Sequence, residues 1–159
     1  RIVNTSSPSG IYGNVGQSNY GAAKAGIAAF TLITAVELAK YGVTVNCLAP
    51  GAYTRMTAEL PGFSGLDEEG QENFGPRWIS VPTVWLCSAE AQNVTGRVFD
   101  VGGQKLGIAE QWRLGPTAVQ PDDPADLTEI MAELMAAAQP NSGMDGKPVE
   151  GPGRPGKTL

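Results

Sequence analysis

The chain has 159 residues, 42% of them hydrophobic and 17% charged, with a formal net charge of -5 and no histidine. That size and apolar content suit a globular domain with a real core, and the acidic balance offers no basic field to nucleic acid or anionic lipid. Without histidine, His-based triads and most zinc sites drop out, so no metal is expected and proton transfer near neutral pH falls to a carboxylate, thiol, lysine or tyrosine.

The sequence opens on Arg1 set directly against "RIVNTSS", a β-like run with no turn or cap before it, which predicts a fragment whose N-terminal part is missing. A Gly- and Ser-rich loop, "SPSGIYGNVGQ", leads into the longest helical pattern, Ser18 to Lys40, rich in Ala and Leu and ended by Tyr41-Gly42. From Ser18 to Val36 its only formal charge is Lys24. A helix so apolar should be buried on both sides, against a sheet and against something more, such as a second subunit. "VTVNCLAPG" predicts a parallel strand covered on both faces and stopped by Pro50-Gly51.

The acidic cluster Asp67, Glu68 and Glu69 then falls in a loop, expected to be a solvated lid. Pro82 suits the first turn of a helix through Leu86, and "GRVFDVGG" predicts another strand leaving through glycines. The alternation of strand and helix predicts an α/β fold, with right-handed crossovers in a parallel sheet.

Farther on, Asp123 can cap and Pro124 can open an amphipathic helix that places Leu127, Ile130, Met131, Leu134 and Met135 on one face. Nine of the twenty-one residues 139–159 are Gly or Pro, which predicts a disordered tail. Within it, "GPGRPGKT" satisfies the P-loop pattern, yet no strand precedes Gly151 and only Leu159 follows Thr158, so no helix N-terminus can stand behind a phosphate there. Cys47 and Cys87, each in an apolar run, are expected as buried reduced thiols. No apolar run is expected to span a bilayer and no secretory pattern opens the chain, so a cytoplasmic protein acting on a small molecule is expected.

The candidate chemistry lies in "SNYGAAKAG". Tyr20 and Lys24 sit one helical turn apart, close enough for the ammonium to stabilise a phenolate and make the pair an acid/base unit. Ser7 ends the first strand thirteen residues before Tyr20, at the carboxyl edge where open parallel sheets place their ligands. Pro50-Gly51 ends the next strand at the same edge, with the Thr54 hydroxyl just beyond.

This combination resembles the short-chain dehydrogenase/reductase family: a Ser ending the fifth strand, Y-x-x-x-K on the next helix, and N-x-x-x-P-G after the sixth strand, here "NCLAPG". "TGRVFDVGG" is similar to that family's last strand. The resemblance covers residues 1–107 and implies the C-terminal half of a doubly wound parallel-sheet, Rossmann-type α/β domain; 108–138 would be a helical extension and 139–159 the tail. It implies that Tyr20 is the catalytic acid/base, that Lys24 lowers its pKa and holds the nicotinamide ribose, and that Ser7 orients the carbonyl. Pro50, Gly51, Tyr53 and Thr54 would hold the nicotinamide of NAD, with NADP left open, and Gln17 would face the substrate.

Within the family, "GIYGNVGQSNYGAAKAG", "TRMT" and "VWLCSAE" are most similar to the (3R)-hydroxyacyl-CoA dehydrogenase part of peroxisomal multifunctional enzyme type 2 and its actinobacterial relatives. The implied reaction interconverts a secondary alcohol and a ketone at C3 of an acyl-CoA, and the full-length form is expected as a homodimer or homotetramer. Two other readings stay open: an acyl-carrier-protein reductase or other small-carbonyl reductase, and a non-catalytic remnant that keeps a dimerisation helix. The family's Gly-rich first turn and catalytic Asn have no counterpart here, so the chain alone is expected to bind dinucleotide poorly and to be inactive.

Overall fold

The computed structural model describes residues 1–110 and 112–149. The chain divides into two units, one of them Arg1–Glu110 and the other beginning at residue 111. In the first, β1 (Ile2–Thr5), β2 (Val45–Gly51) and β3 (Val98–Gly102) are parallel and lie in that order, and β4 (Lys105–Ala109) pairs antiparallel with β3. The parallel α/β core matches the sequence expectation. The antiparallel strand does not: Gly103, at φ 55, turns the chain in a two-residue hairpin loop, and the short run "KLGIA" finds its strand conformation only because β3 offers an edge.

Four helices belong to this unit: α1 (Pro8–Ile11), α2 (Ser18–Leu38), α3 (Glu68–Asn73) and α4 (Arg77–Leu86). After α2 a single 3-10 turn, Ala39–Tyr41, ends at Gly42, whose φ of 70 is the left-handed cap the sequence places there. Together, Ser18–Tyr41 is 24 residues long and apolar enough, by length and composition alone, to cross a membrane, contrary to the expectation that no run would be.

Its packing accounts for that composition. Thr31 and Ala35 are buried, Ile27 and Ala28 cover Cys47, Ala49 and Val98, and Asn4 Nδ2 donates to Thr31 Oγ1 at 2.9 Å. On the far side Phe30, Ile33 and Val36 are exposed. Burial on both sides is therefore met only toward the sheet among the described residues.

Leu48, Phe99 and Val101 point to the opposite face, where they pack with Leu86 of α4. Cys47 and Leu48 are neighbours on one strand, so α2 and α4 cover opposite faces of the sheet. Both connections step the same way across three parallel strands, which gives them opposite hands. Right-handed crossovers were expected throughout; one of these two departs from that rule.

Local chemistry explains three further differences. Asp67 accepts from Gly70 N at 2.9 Å and caps α3, with Glu68 and Glu69 in its first turn beside the positive end of the dipole, so the acidic cluster starts a helix rather than lying in a loop. Pro82 lies inside α4, not in its first turn, because the helix already starts at Arg77; the ring withholds the N–H that would bond to the Trp78 carbonyl. Cys47 is buried as expected, but Cys87 caps the C-terminus of α4 and is exposed.

β2 continues through Pro50-Gly51 instead of stopping there. Its pairing with β1 ends at Leu48, so the missing N–H of Pro50 falls where that side of β2 has become an edge.

In the second unit Asp123 Oδ1 accepts from Ala125 N at 2.9 Å, Pro124–Asp126 form a 3-10 turn, and α5 (Leu127–Ala137) follows with no buried residue. Of the segment expected to be disordered, residues 141–149 fold back on themselves: Val149 N donates to Asn141 O at 2.8 Å and Gly146, at φ 76, makes the reversal. Residues 150–159, and with them "GPGRPGKT", lie outside the described residues.

Candidate active site

The carboxyl ends of β1 and β2 meet where Ser6 N donates to Leu48 O at 2.7 Å. Ser7 follows at once, buried, as the N-cap of α1, and its Oγ accepts from Ser9 N at 3.2 Å. A hydroxyl that accepts in this way still has its O–H to donate, which is the property a carbonyl-orienting serine needs.

Tyr20 and Lys24 stand on one face of α2, the lysine Nζ 5.7 Å from the centre of the tyrosine ring. The same Nζ donates to Thr5 O at 3.1 Å, and Ser6 Oγ donates to Lys24 O at 2.7 Å. These two bonds fasten the helix to the residues just before Ser7, so serine, tyrosine and lysine are gathered at one sheet edge. Tyr20 is 43% exposed, which leaves its hydroxyl open to a ligand.

The loop between Ser7 and Tyr20 rests directly on α2. A Cβ on Gly10 would stand 2.6 Å from Ala25 N and 2.7 Å from the Lys24 backbone carbon, so only glycine permits this approach. Farther along the loop, Ser9 Oγ donates to Gln17 Oε1 at 2.8 Å and Asn14 Nδ2 reaches the same oxygen at 3.3 Å. Gln17, expected to face the substrate, thus has its carbonyl oxygen committed to holding the loop. Ser9 and Asn14 were not singled out from the sequence, because a serine and an asparagine in a glycine-rich loop carry no signal that separates a tie from a turn.

On β2, Pro50 and Gly51 pair with Val101 and Gly102. Beyond them Tyr53 N donates to Phe74 O at 2.8 Å. Thr57 Oγ1 accepts from Thr54 N at 2.8 Å, lies 3.1 Å from Thr54 Oγ1 and donates to Ala52 O at 2.7 Å. Thr57 is the residue missed here: it braces the Pro50–Thr54 turn that is expected to face a cofactor.

Nicotinamide ribose presents a diol, and the donor set suits one. An ammonium has three N–H groups; that of Lys24 spends one on Thr5 O, with the Tyr20 hydroxyl one helical turn away.

The comparisons with known proteins fall on this same ground. A family model described as short chain dehydrogenase matches residues 1–62, the span that carries Ser7, Tyr20, Lys24 and the Pro50–Thr54 turn. Over those residues the chain is similar to the short-chain dehydrogenase family.

Hydroxyacyl-CoA dehydrogenase ChsB1 of Mycobacterium tuberculosis is 38% identical to this chain over 145 residues, 88% of the chain and 45% of the relative. A short chain dehydrogenase from Mycobacterium avium superposes with a TM-score of 0.75 at 48% identity, covering 89% of this chain and 47% of that one. Full-length peroxisomal multifunctional enzyme type 2 from Drosophila melanogaster gives a TM-score of 0.69 at 26% identity, over 84% of this chain and 24% of the larger one. The chain thus spans less than half the length of each.

Proposed function

We propose that the protein is a nicotinamide-dependent oxidoreductase that interconverts a (3R)-hydroxyacyl-CoA and a 3-oxoacyl-CoA, with Ser7, Tyr20 and Lys24 as its catalytic residues. The observation that carries this reading is the Lys24 ammonium. It stands 5.7 Å from the Tyr20 ring centre while bonded to the backbone two residues before Ser7.

In oxidation, Tyr20 as phenolate takes the proton of the substrate hydroxyl; in reduction, the phenol returns it to the carbonyl oxygen. Ser7 donates its O–H to that same oxygen and holds it against Tyr20. Lys24 sets a positive charge beside the ring where negative charge develops, and its remaining N–H groups would hold ribose hydroxyls, with Pro50, Gly51, Tyr53 and Thr54 on the side that would take the nicotinamide. A bound NAD or NADP supplies hydride acceptance and donation at its C4; NAD is preferred by analogy with the acyl-CoA branch. The exposed Phe30, Ile33 and Val36 on α2 support a homo-oligomer in the full-length form.

The acyl-CoA assignment draws on the likeness to hydroxyacyl-CoA dehydrogenase ChsB1 of Mycobacterium tuberculosis. Its test is a comparison of kcat/KM for the full-length enzyme on 3-hydroxyacyl-CoA, the matching acyl-carrier-protein thioester and simple secondary alcohols. The expected order puts the CoA thioester first by at least about tenfold, because binding energy from the remote carrier part of the substrate is used at the reacting centre. Equal or better turnover of the carrier-protein thioester would move the protein to the reductase reading, and a preference for simple alcohols would remove the thioester altogether.

A further inference from the structure

A buried carboxylate on β3 belongs to none of the roles above. Asp100 is 8% exposed in a strand whose neighbours Phe99 and Val101 are core residues, and the strand pattern gives no packing reason for an acid there. Tyr12 OH donates to its Oδ2 at 3.2 Å, and Lys105 Nζ donates to the same oxygen at 3.0 Å. Gly107, directly opposite Asp100 on β4, has no side chain to cover the carboxylate. Taking a carboxylate out of water is costly unless it is paired, and here the pairing joins the loop after Ser7 to both strands of the hairpin.

Tyr12 is not a distant part of that loop. It caps the C-terminus of α1, with its N–H donating to Pro8 O at 2.8 Å, while Ser7 caps the N-terminus and accepts from Gly10 N through its carbonyl at 2.9 Å. One helical turn therefore runs from the serine to the tyrosine, and whatever fixes Tyr12 limits where Ser7 can move. Burial, with the Asp100 charge next in weight, pushes the Tyr12 phenol up to about 12. It therefore remains a hydrogen-bond donor across the whole physiological range.

We propose that Asp100, held by Lys105, is a positioning residue that acts through Tyr12 to fix the α1 turn and with it the Ser7 hydroxyl. The inference deepens the dehydrogenase reading and rests on it for its kinetic consequence. Lys105 reaches Asp100 from β4, so the hairpin that sequence reasoning did not foresee becomes part of the serine's support.

The test is a double-mutant cycle in the full-length enzyme, with Tyr12→Phe and Ser7→Ala made singly and together, and Asp100→Asn as the variant to use should Tyr12→Phe fail to fold. If Tyr12 acts through Ser7, Tyr12→Phe lowers kcat by about tenfold, the scale expected when a reacting group sits slightly out of place. It leaves KM for the cofactor unchanged and has no further effect once Ser7 is alanine. An equal loss on both backgrounds, or no loss on either, would overturn the proposal.

A second readout needs no turnover. Amide hydrogen exchange in the Ser7–Tyr12 peptide should quicken in Tyr12→Phe while β2 stays protected. Unchanged exchange there would remove the anchor even if the enzyme proves to be a dehydrogenase. Turnover that survives Tyr20→Phe would instead remove the assigned chemistry and leave the anchor to be judged by exchange.

Discussion

Replacing Tyr20 by phenylalanine in the full-length enzyme is expected to lower kcat by about two to four orders of magnitude, the usual contribution of a positioned acid/base group. The same change should leave cofactor affinity within a few-fold. Phenylalanine keeps the ring that faces Lys24 at 5.7 Å and keeps the helix, so only the exchangeable proton is lost. Tyr20 is 43% exposed and its hydroxyl can be hydrated, so the midpoint of thermal unfolding should barely move. Steady-state rates, a cofactor titration and a melting curve on the same preparation separate these effects. A variant that folds, binds cofactor and still turns over at the parent rate would refute the acid/base role.

Gly10→Ala is the second large expectation, and its cause is packing. The new methyl would lie 2.6 Å from Ala25 N and 2.7 Å from both the carbonyl carbon and the Cβ of Lys24. Those neighbours are mostly the backbone of α2, which cannot turn aside as the tip of a flexible side chain could, so α1 must lift off. Overpacking of this kind costs about 1–3 kcal/mol. Because α1 starts at Ser7 and the contact is at Lys24, the displacement should also lower kcat well below the parent value. Thermal unfolding and kcat together check it; an unchanged melting midpoint would mean that the two helices are not in the contact described.

Most of what places the site could be read from the sequence. The β1–α2–β2 unit announces itself through apolar runs, an Ala-rich helix and a glycine that ends it, and the spacing of Ser7, Tyr20 and Lys24 survives into one sheet edge because a strand end and the following helix are local in the chain. What could not be read depends on partners distant in sequence. The β4 run has too weak an alternation to declare itself without β3 beside it. Which face of the sheet a crossover helix covers is not encoded in any periodicity, since α4 satisfies the same pattern on either face. Asp67 reads as surface charge in the sequence, and only its bond to Gly70 N makes it a helix cap. Asp100 is the clearest case: its meaning lies in Tyr12, far away in sequence, and an acid within "VFDVG" shows only that something must pair with it.

The same distinction separates the residues that were anticipated from those that were not. The spacing pairs Lys24 with the tyrosine, and the structure adds its bond to Thr5 O, which ties α2 to the end of β1. Gln17 is expected to face the substrate, and its side-chain oxygen meets Ser9 and Asn14. Thr57 gives no signal in the sequence because its side-chain hydrogen bonds all close a turn only a few residues wide.

The most direct test of the central claim is to supply the full-length enzyme with a (3R)-hydroxyacyl-CoA and NAD and follow the absorbance of the reduced nicotinamide, with NADP in a parallel cuvette. One reduced nicotinamide is expected for each 3-oxoacyl-CoA formed, and none from the Tyr20→Phe variant on the same timescale. Oxidation of no secondary alcohol with either dinucleotide would contradict it.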